Sequence, residues 1–137
     1  MTAEIREYTD YREDEILRLY ASVGWTAYTD QPAALEEGFR RSLLVLAAYD
    51  RQELMGILRA VGDGSTVVFI QDLLVAPARQ RLGVGTALVK ALLARYPRVR
   101  QIQLTADDTP KTAAFYQSLG FAPLKKAGCI GYIKTGK

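Results

Sequence analysis

Apolar and polar residues follow two rhythms along this chain. A period of two, or a short unbroken apolar run, marks a strand, and a return every three or four residues marks a helix. The clearest passage opens with Val67-Val68-Phe69-Ile70-Gln71-Asp72-Leu73-Leu74-Val75, an apolar strand that carries one acid. Pro77 ends it, because proline has no N–H to give to a ladder. A basic, glycine-containing loop follows, Arg79-Gln80-Arg81-Leu82-Gly83-Val84-Gly85-Thr86. Val84, Ala87, Leu88, Ala91 and Leu92 then fall on one helical face, and Tyr96-Pro97 stops the helix.

Upstream, Ile5 to Tyr8 reads as an edge strand, and Asp10-Tyr11-Arg12-Glu13 fits a capping box. Ile16, Leu17, Tyr20 and Val23 form a helical stripe, broken at Gly24 by the aromatic loop Gly24-Trp25-Thr26-Ala27-Tyr28-Thr29. Asp30 with Pro32 opens a second helix with Leu35 and Phe39 inward. Leu43 to Tyr49 and Leu54 to Val61 are strands joined by the polar turn Asp50-Arg51-Gln52-Glu53. Gly62-Asp63-Gly64 supplies the next tight turn.

Downstream, Ile102, Leu104 and Ala106 alternate with Gln101, Gln103 and Thr105, the mark of a half-buried strand. Thr109-Pro110 opens a last helix carrying Ala113, Tyr116 and Leu119, which ends at Gly120. Two short strands are expected around Ala122 to Lys126 and Cys129 to Lys134. The order β-α-α-β-β-β-α-β-α-β-β is that of a mixed α/β sheet.

At 137 residues the chain fits a single domain, 1–137, with a core that needs no metal or disulfide. A net charge of +3, without basic stripes among aromatics, gives no footprint for nucleic acid. No apolar run is long enough for a membrane span, and Met1-Thr2-Ala3-Glu4 lacks a signal-peptide pattern, so the expected compartment is the cytoplasm. The single cysteine, Cys129, excludes an internal disulfide. No histidine is present, which removes Ser/His/Asp and Cys/His nucleophiles and the commonest metal ligand. Carboxylate, tyrosine, backbone or water must do any chemistry, and no metal site is expected.

The helix that starts after Gly83-Val84-Gly85 presents unpaired N–H groups and the positive end of its dipole, where a phosphate is welcome. The P-loop pattern fails for want of a lysine after the glycines, and the dinucleotide fingerprint fails because Leu88 stands where its third small residue belongs. What remains, Gln80-Arg81-Leu82-Gly83-Val84-Gly85, resembles the Gln/Arg-x-x-Gly-x-Gly/Ala signature of the GNAT superfamily of N-acetyltransferases. The Leu-Val-x-Pro strand end before it and Phe115-Tyr116-Gln117-Ser118-Leu119-Gly120-Phe121 after it extend the resemblance over most of the chain.

That resemblance implies the GNAT fold, a mixed and mostly antiparallel sheet flanked by helices. It implies acetyl-CoA as cosubstrate, with its pyrophosphate on Gln80, Arg81, Leu82, Gly83, Val84, Gly85 and Thr86. It implies that the strand of Leu73, Leu74 and Val75 splays from that of Leu104-Thr105 and offers the freed backbone groups to pantetheine. A main-chain N–H at Leu73 or Leu74 would hold the developing oxyanion. Tyr116 takes the place of the tyrosine that protonates the departing thiolate. Thr109 stands where the family often has Asn.

Asp72, an acid in an apolar strand, has two readings: base for the acceptor amine, directly or through water, or partner of a cation such as Arg59 or of the substrate. Trp25 and Tyr28 lie on the acceptor side in this fold, as a wall for the amine or as core anchors. The expected reaction is direct attack of a primary amine on the thioester in a ternary complex, by a homodimer. A non-catalytic acyl-CoA sensor of the same fold is the alternative.

Overall fold

A computed structural model describes residues 3–136; Met1, Thr2 and Lys137 lie outside the described residues. The chain forms two compact units, Met1–Leu104 and Thr105–Lys137. The first holds strands β1 (Glu4–Glu7), β2 (Leu44–Asp50), β3 (Glu53–Gly62), β4 (Val67–Val75) and β5 (Gln101–Leu104). It also holds helices α1 (Glu13–Ser22), α2 (Thr26–Thr29), α3 (Pro32–Arg40) and α4 (Val84–Arg95). No helix among the described residues is long and apolar enough to cross a membrane.

The sheet runs β1-β2-β3-β4-β5, antiparallel except for the parallel pair β4–β5, which α4 connects. Side-chain alternation sorts the core into two layers. Val45, Ala47, Tyr49, Ile57 and Leu74 pack with Ile16, Leu19 and Tyr20 of α1 and with Leu35 and Phe39 of α3. On the opposite face Gly56 lies under α4, where an added Cβ would sit 3.3 Å from both Val84 and Leu88 and 3.0 Å from the Leu74 carbonyl oxygen. A side chain here would press on Val84, Leu88 and the β4 backbone, and glycine lets the helix that follows the glycine loop lie this close without displacing them.

A β-bulge in β4 decides what each face receives. Ile70 pairs with Ala60 and Asp72 with Arg59, so Gln71 is left without an opposite number. One inserted residue reverses the faces of everything beyond it. Asp72 and Leu74 therefore turn toward α1, while Ile70 shares the α4 face with Ala60. The sequence here is an apolar run interrupted only by Gln71-Asp72, and it gives no sign of the reversal.

Three local expectations are corrected. The capping box at Asp10 does not form: α1 has Arg12 as its N-cap, with no side-chain cap. Glu13, Asp14 and Glu15 in the first turn complement the helix dipole instead. The aromatic loop contains a short helix, α2, with Trp25 at its N-cap. The two closing strands are absent from the described residues. In the second unit α5 (Pro110–Ser118) is followed by a 3-10 turn over Leu124–Ala127 and an irregular stretch to residue 136. Pro123 has no N–H, Gly128 is left-handed at φ 79°, and a strand needs a neighbour to pair with.

Candidate active site

The distinguishing feature of β4 is its open side. It pairs with β5 only from Val67 to Ile70, while its ladder with β3 continues to Val75. From Gln71 onward the backbone groups that point away from β3 meet no strand among the described residues. Ala76 N donates to Met55 O on β3 at 2.8 Å. Alternation in an antiparallel ladder then turns the Leu74 N–H toward β3 and those of Leu73 and Val75 away from it. Of the two amides expected to hold an oxyanion, that of Leu73 lies on the open side and that of Leu74 on the β3 side, and the Val75 amide is open as well. Outward-facing groups of this kind demand a partner, and an extended amide-bearing chain is one.

The loop beyond β4 is tied to it by Gln80, whose Nε2 donates to Val75 O at 3.0 Å. Arg81 adopts φ 66° and Gly83 φ 84°. Gly83 is the N-cap of α4 and, having no side chain, leaves the first-turn amides of Val84, Gly85 and Thr86 uncapped. The first turn carries no acid. A Cβ built on Gly83 meets no protein atom within 4 Å, so the chain leaves open space beside the start of α4. Leu82 is exposed beside it.

One charge expected at this loop is spent elsewhere. Arg79 binds Asp50 at 2.9 Å and Glu53 at 2.6 Å, clamping the Pro77–Arg79 turn to the β2–β3 hairpin. Arg81 keeps its exposed position in the loop. Arg79 therefore fixes the loop, and Arg81 pairs with no carboxylate among the described residues.

Asp72 is 2% exposed and Arg59 7%. Arg59 Nε donates to Asp72 Oδ2 at 2.8 Å, and its Nη1 reaches Ser42 Oγ at 3.3 Å. Tyr20 Oη also donates to Asp72 Oδ2, at 2.9 Å, and Tyr28 Oη to Oδ1, at 2.8 Å. Of the two sequence readings for Asp72, the pairing with Arg59 is what the structure contains. Burial, reinforced by the neighbouring carboxylate, pushes the phenols of Tyr20 and Tyr28 upward, so both remain protonated donors at neutral pH.

Trp25 packs edge-on against Tyr20 at 5.9 Å and lies tilted at 6.2 Å from Tyr28. Both Trp25 and Tyr28 are half-buried against the core, so each serves as an anchor with one edge outward. Sequence reasoning missed Tyr20 and Gln71 as members of this cluster. A helix tyrosine four residues after Ile16 reads simply as core, and Gln71 gains its place only through the bulge.

In the second unit Thr109 caps α5, accepting from Thr112 N at 3.2 Å. Tyr116 is half-buried between Phe115 at 4.9 Å and Phe121 at 5.8 Å, both edge-on. Burial raises its phenol above the ordinary value.

Comparison with known proteins gives the class to which this fold belongs. Residues 7–121 match the model of the Acetyltransferase (GNAT) family, and the chain belongs to that family. A solved GNAT family acetyltransferase of Streptococcus pneumoniae superposes with a TM-score of 0.89 at 34% identity, covering 99% of each chain. An uncharacterised N-acetyltransferase of Gracilaria tenuistipitata is 30% identical over 111 residues, 78% of this chain and 60% of that protein. The chloroplastic serotonin N-acetyltransferase 2 of rice, Oryza sativa, is 41% identical over 66 residues, 47% of this chain and 32% of that protein. The chain thus spans less than two thirds of the length of these two curated relatives. The fold is the GNAT fold, and the two curated relatives are named N-acetyltransferases.

Proposed function

We propose that this protein moves the acetyl group of acetyl-CoA to a primary amine, within one acetyltransferase domain. The observation that carries the reading is the pair of outward β4 amides, Leu73 and Val75, standing at the head of a loop that ends in the uncapped start of α4. The first-turn amides of Val84, Gly85 and Thr86, with the charge of Arg81, receive the pyrophosphate. Gln80 and Leu82 carry the backbone that brings them there. The Leu73 N–H holds the thioester oxygen as negative charge develops on it.

The amine nitrogen attacks the thioester carbon, a C–N bond forms, and the C–S bond breaks. Nitrogen sheds one proton to water, and the thiolate takes one from the Tyr116 hydroxyl, which water later restores. The raised phenol of Tyr116 suits a donor that must stay protonated until the thiolate forms. With no histidine and only Cys129 as a thiol, a covalent acyl-enzyme has no supported nucleophile, so the two substrates meet in a ternary complex. The rice relative's name supplies an arylalkylamine as one acceptor class to try. A cytoplasmic homodimer completes the proposal.

Free-thiol release across polyamines, arylalkylamines, aminoglycosides, amino acids and a lysine peptide tests it. Amine-dependent release with intersecting initial-rate lines supports the reading. Parallel lines contradict the ternary complex. Tight coenzyme A binding with no release from any amine favours a sensor instead.

A further inference from the structure

The Asp72 cluster has a direction, and that direction assigns a role to Tyr28. Asp72 itself is sealed: its two oxygens already accept from Arg59, Tyr20 and Tyr28. An ionised carboxylate only accepts, so the Tyr28 hydroxyl hydrogen is committed to Asp72 Oδ1. What Tyr28 presents outward is a phenol lone pair. That lone pair now accepts from Gln71 Nε2 at 3.3 Å, a long bond at the exposed rim of the cluster. Gln71 and Asp72 immediately precede Leu73 on β4, whose amide faces the open edge.

We propose that Tyr28 Oη is the acceptor that seats an N–H of the attacking amine, taking the place of the Gln71 amide. Resting on the acetyltransferase reading above, this adds a specificity-determining residue to it. Asp72 is a positioning residue, and Arg59 fixes Asp72. Together they hold the phenol hydrogen inward, so the rim recognises a hydrogen-bond donor. An amine offers an N–H to Tyr28 while its own lone pair remains free for the thioester. A group that only accepts, such as an ether or carboxylate, finds no donor at this atom.

Steady-state kinetics with separate variation of amine and acetyl-CoA test the assignment in the full chain. For Tyr28→Phe the amine KM rises about tenfold, the loss expected for one hydrogen bond to a half-buried acceptor. Calorimetric affinity for coenzyme A stays at the wild-type value, a split that a general loss of structure does not give. Gln71→Ala, a rim change that leaves the buried pair alone, lowers the amine KM about twofold by removing the competing donor. A Tyr28→Phe enzyme with wild-type amine KM, or a Gln71→Ala enzyme with a raised one, overturns the assignment while leaving the acetyltransferase reading standing. Wild-type protein that releases no thiol with any amine removes both.

Discussion

Arg59 and Asp72 face each other across β3 and β4, Nε to Oδ2 at 2.8 Å, beside the bulge at Gln71. The pair exists because the bulge turns Asp72 onto the face that Arg59 already occupies. Phe39 lies under the guanidinium at 5.7 Å, and Gly38 leaves room for it, since a Cβ there would sit 3.2 Å from Nη1.

Breaking this pair from one side leaves a buried charge unmatched. Arg59→Ala and Asp72→Ala are each expected to lose about 3–5 kcal/mol of stability. The double change Arg59→Met with Asp72→Leu is expected to lose less than the two single losses together, because neither charge is stranded. Urea denaturation of the four proteins checks this, and strictly additive losses would count against a coupled pair.

Tyr116 is expected to act through its proton. Tyr116→Phe lowers kcat by about a hundredfold or more and leaves coenzyme A affinity in place. Because burial raises the phenol, wild-type kcat shows no falling alkaline limb below about pH 10, the ordinary tyrosine value. A limb near pH 8, or a fully active phenylalanine variant, would exclude Tyr116 as the acid.

Gly83 separates binding from folding. In the left-handed region an alanine costs about 1–2 kcal/mol, and no protein atom lies in its way. Gly83→Ala is therefore expected to fold with a modest loss in Tm while its coenzyme A affinity falls more than tenfold, because its methyl takes up open space beside the uncapped helix start. Arg81→Gln weakens binding mainly at low ionic strength, as a screened charge should. Calorimetry at two salt concentrations reads both.

Asp63 governs the β3–β4 turn. Its carboxylate accepts from the Thr66 hydroxyl at 2.6 Å and from the amides of Ser65, Thr66 and Val67 at 2.8, 2.7 and 3.1 Å. These bonds, the Thr66 hydroxyl first, hold the carboxyl well below its usual range. A depressed carboxylate contributes stability above its unfolded pKa and loses it as pH falls through the folded one. The Tm gap between wild type and Asp63→Ala is therefore expected to persist down to about pH 4, the ordinary carboxylate range, and to shrink only below it. A gap that closes by pH 5 would contradict this.

The sequence is most legible where one rhythm runs without interruption. β4 occupies Val67 to Val75 residue for residue as its apolar run predicts, and α4 stops before Pro97 where the helical stripe ends. The start of α4 at the glycine loop is legible because glycine spacing reports backbone conformation directly. What the pattern hides is long-range. The bulge depends on the register between Arg59 and Asp72, so neither the face of Asp72 nor the entry of Gln71 into the cluster can be read locally. Arg79 reads as one more positive charge in a basic loop until the hairpin brings Asp50 and Glu53 to it. Ile130, Tyr132 and Ile133 have strand propensity, yet they are 60%, 91% and 89% exposed and outside any strand. Propensity alone supplies no pairing partner.

The most direct measurement is mass spectrometry of the amine panel after incubation with isotopically labelled acetyl-CoA and the wild-type protein. The account predicts enzyme-dependent appearance of the labelled acetyl group on the nitrogen of at least one primary amine, with coenzyme A released in equal amount. Intact amines throughout, with acetyl-CoA unchanged or only hydrolysed, would contradict it.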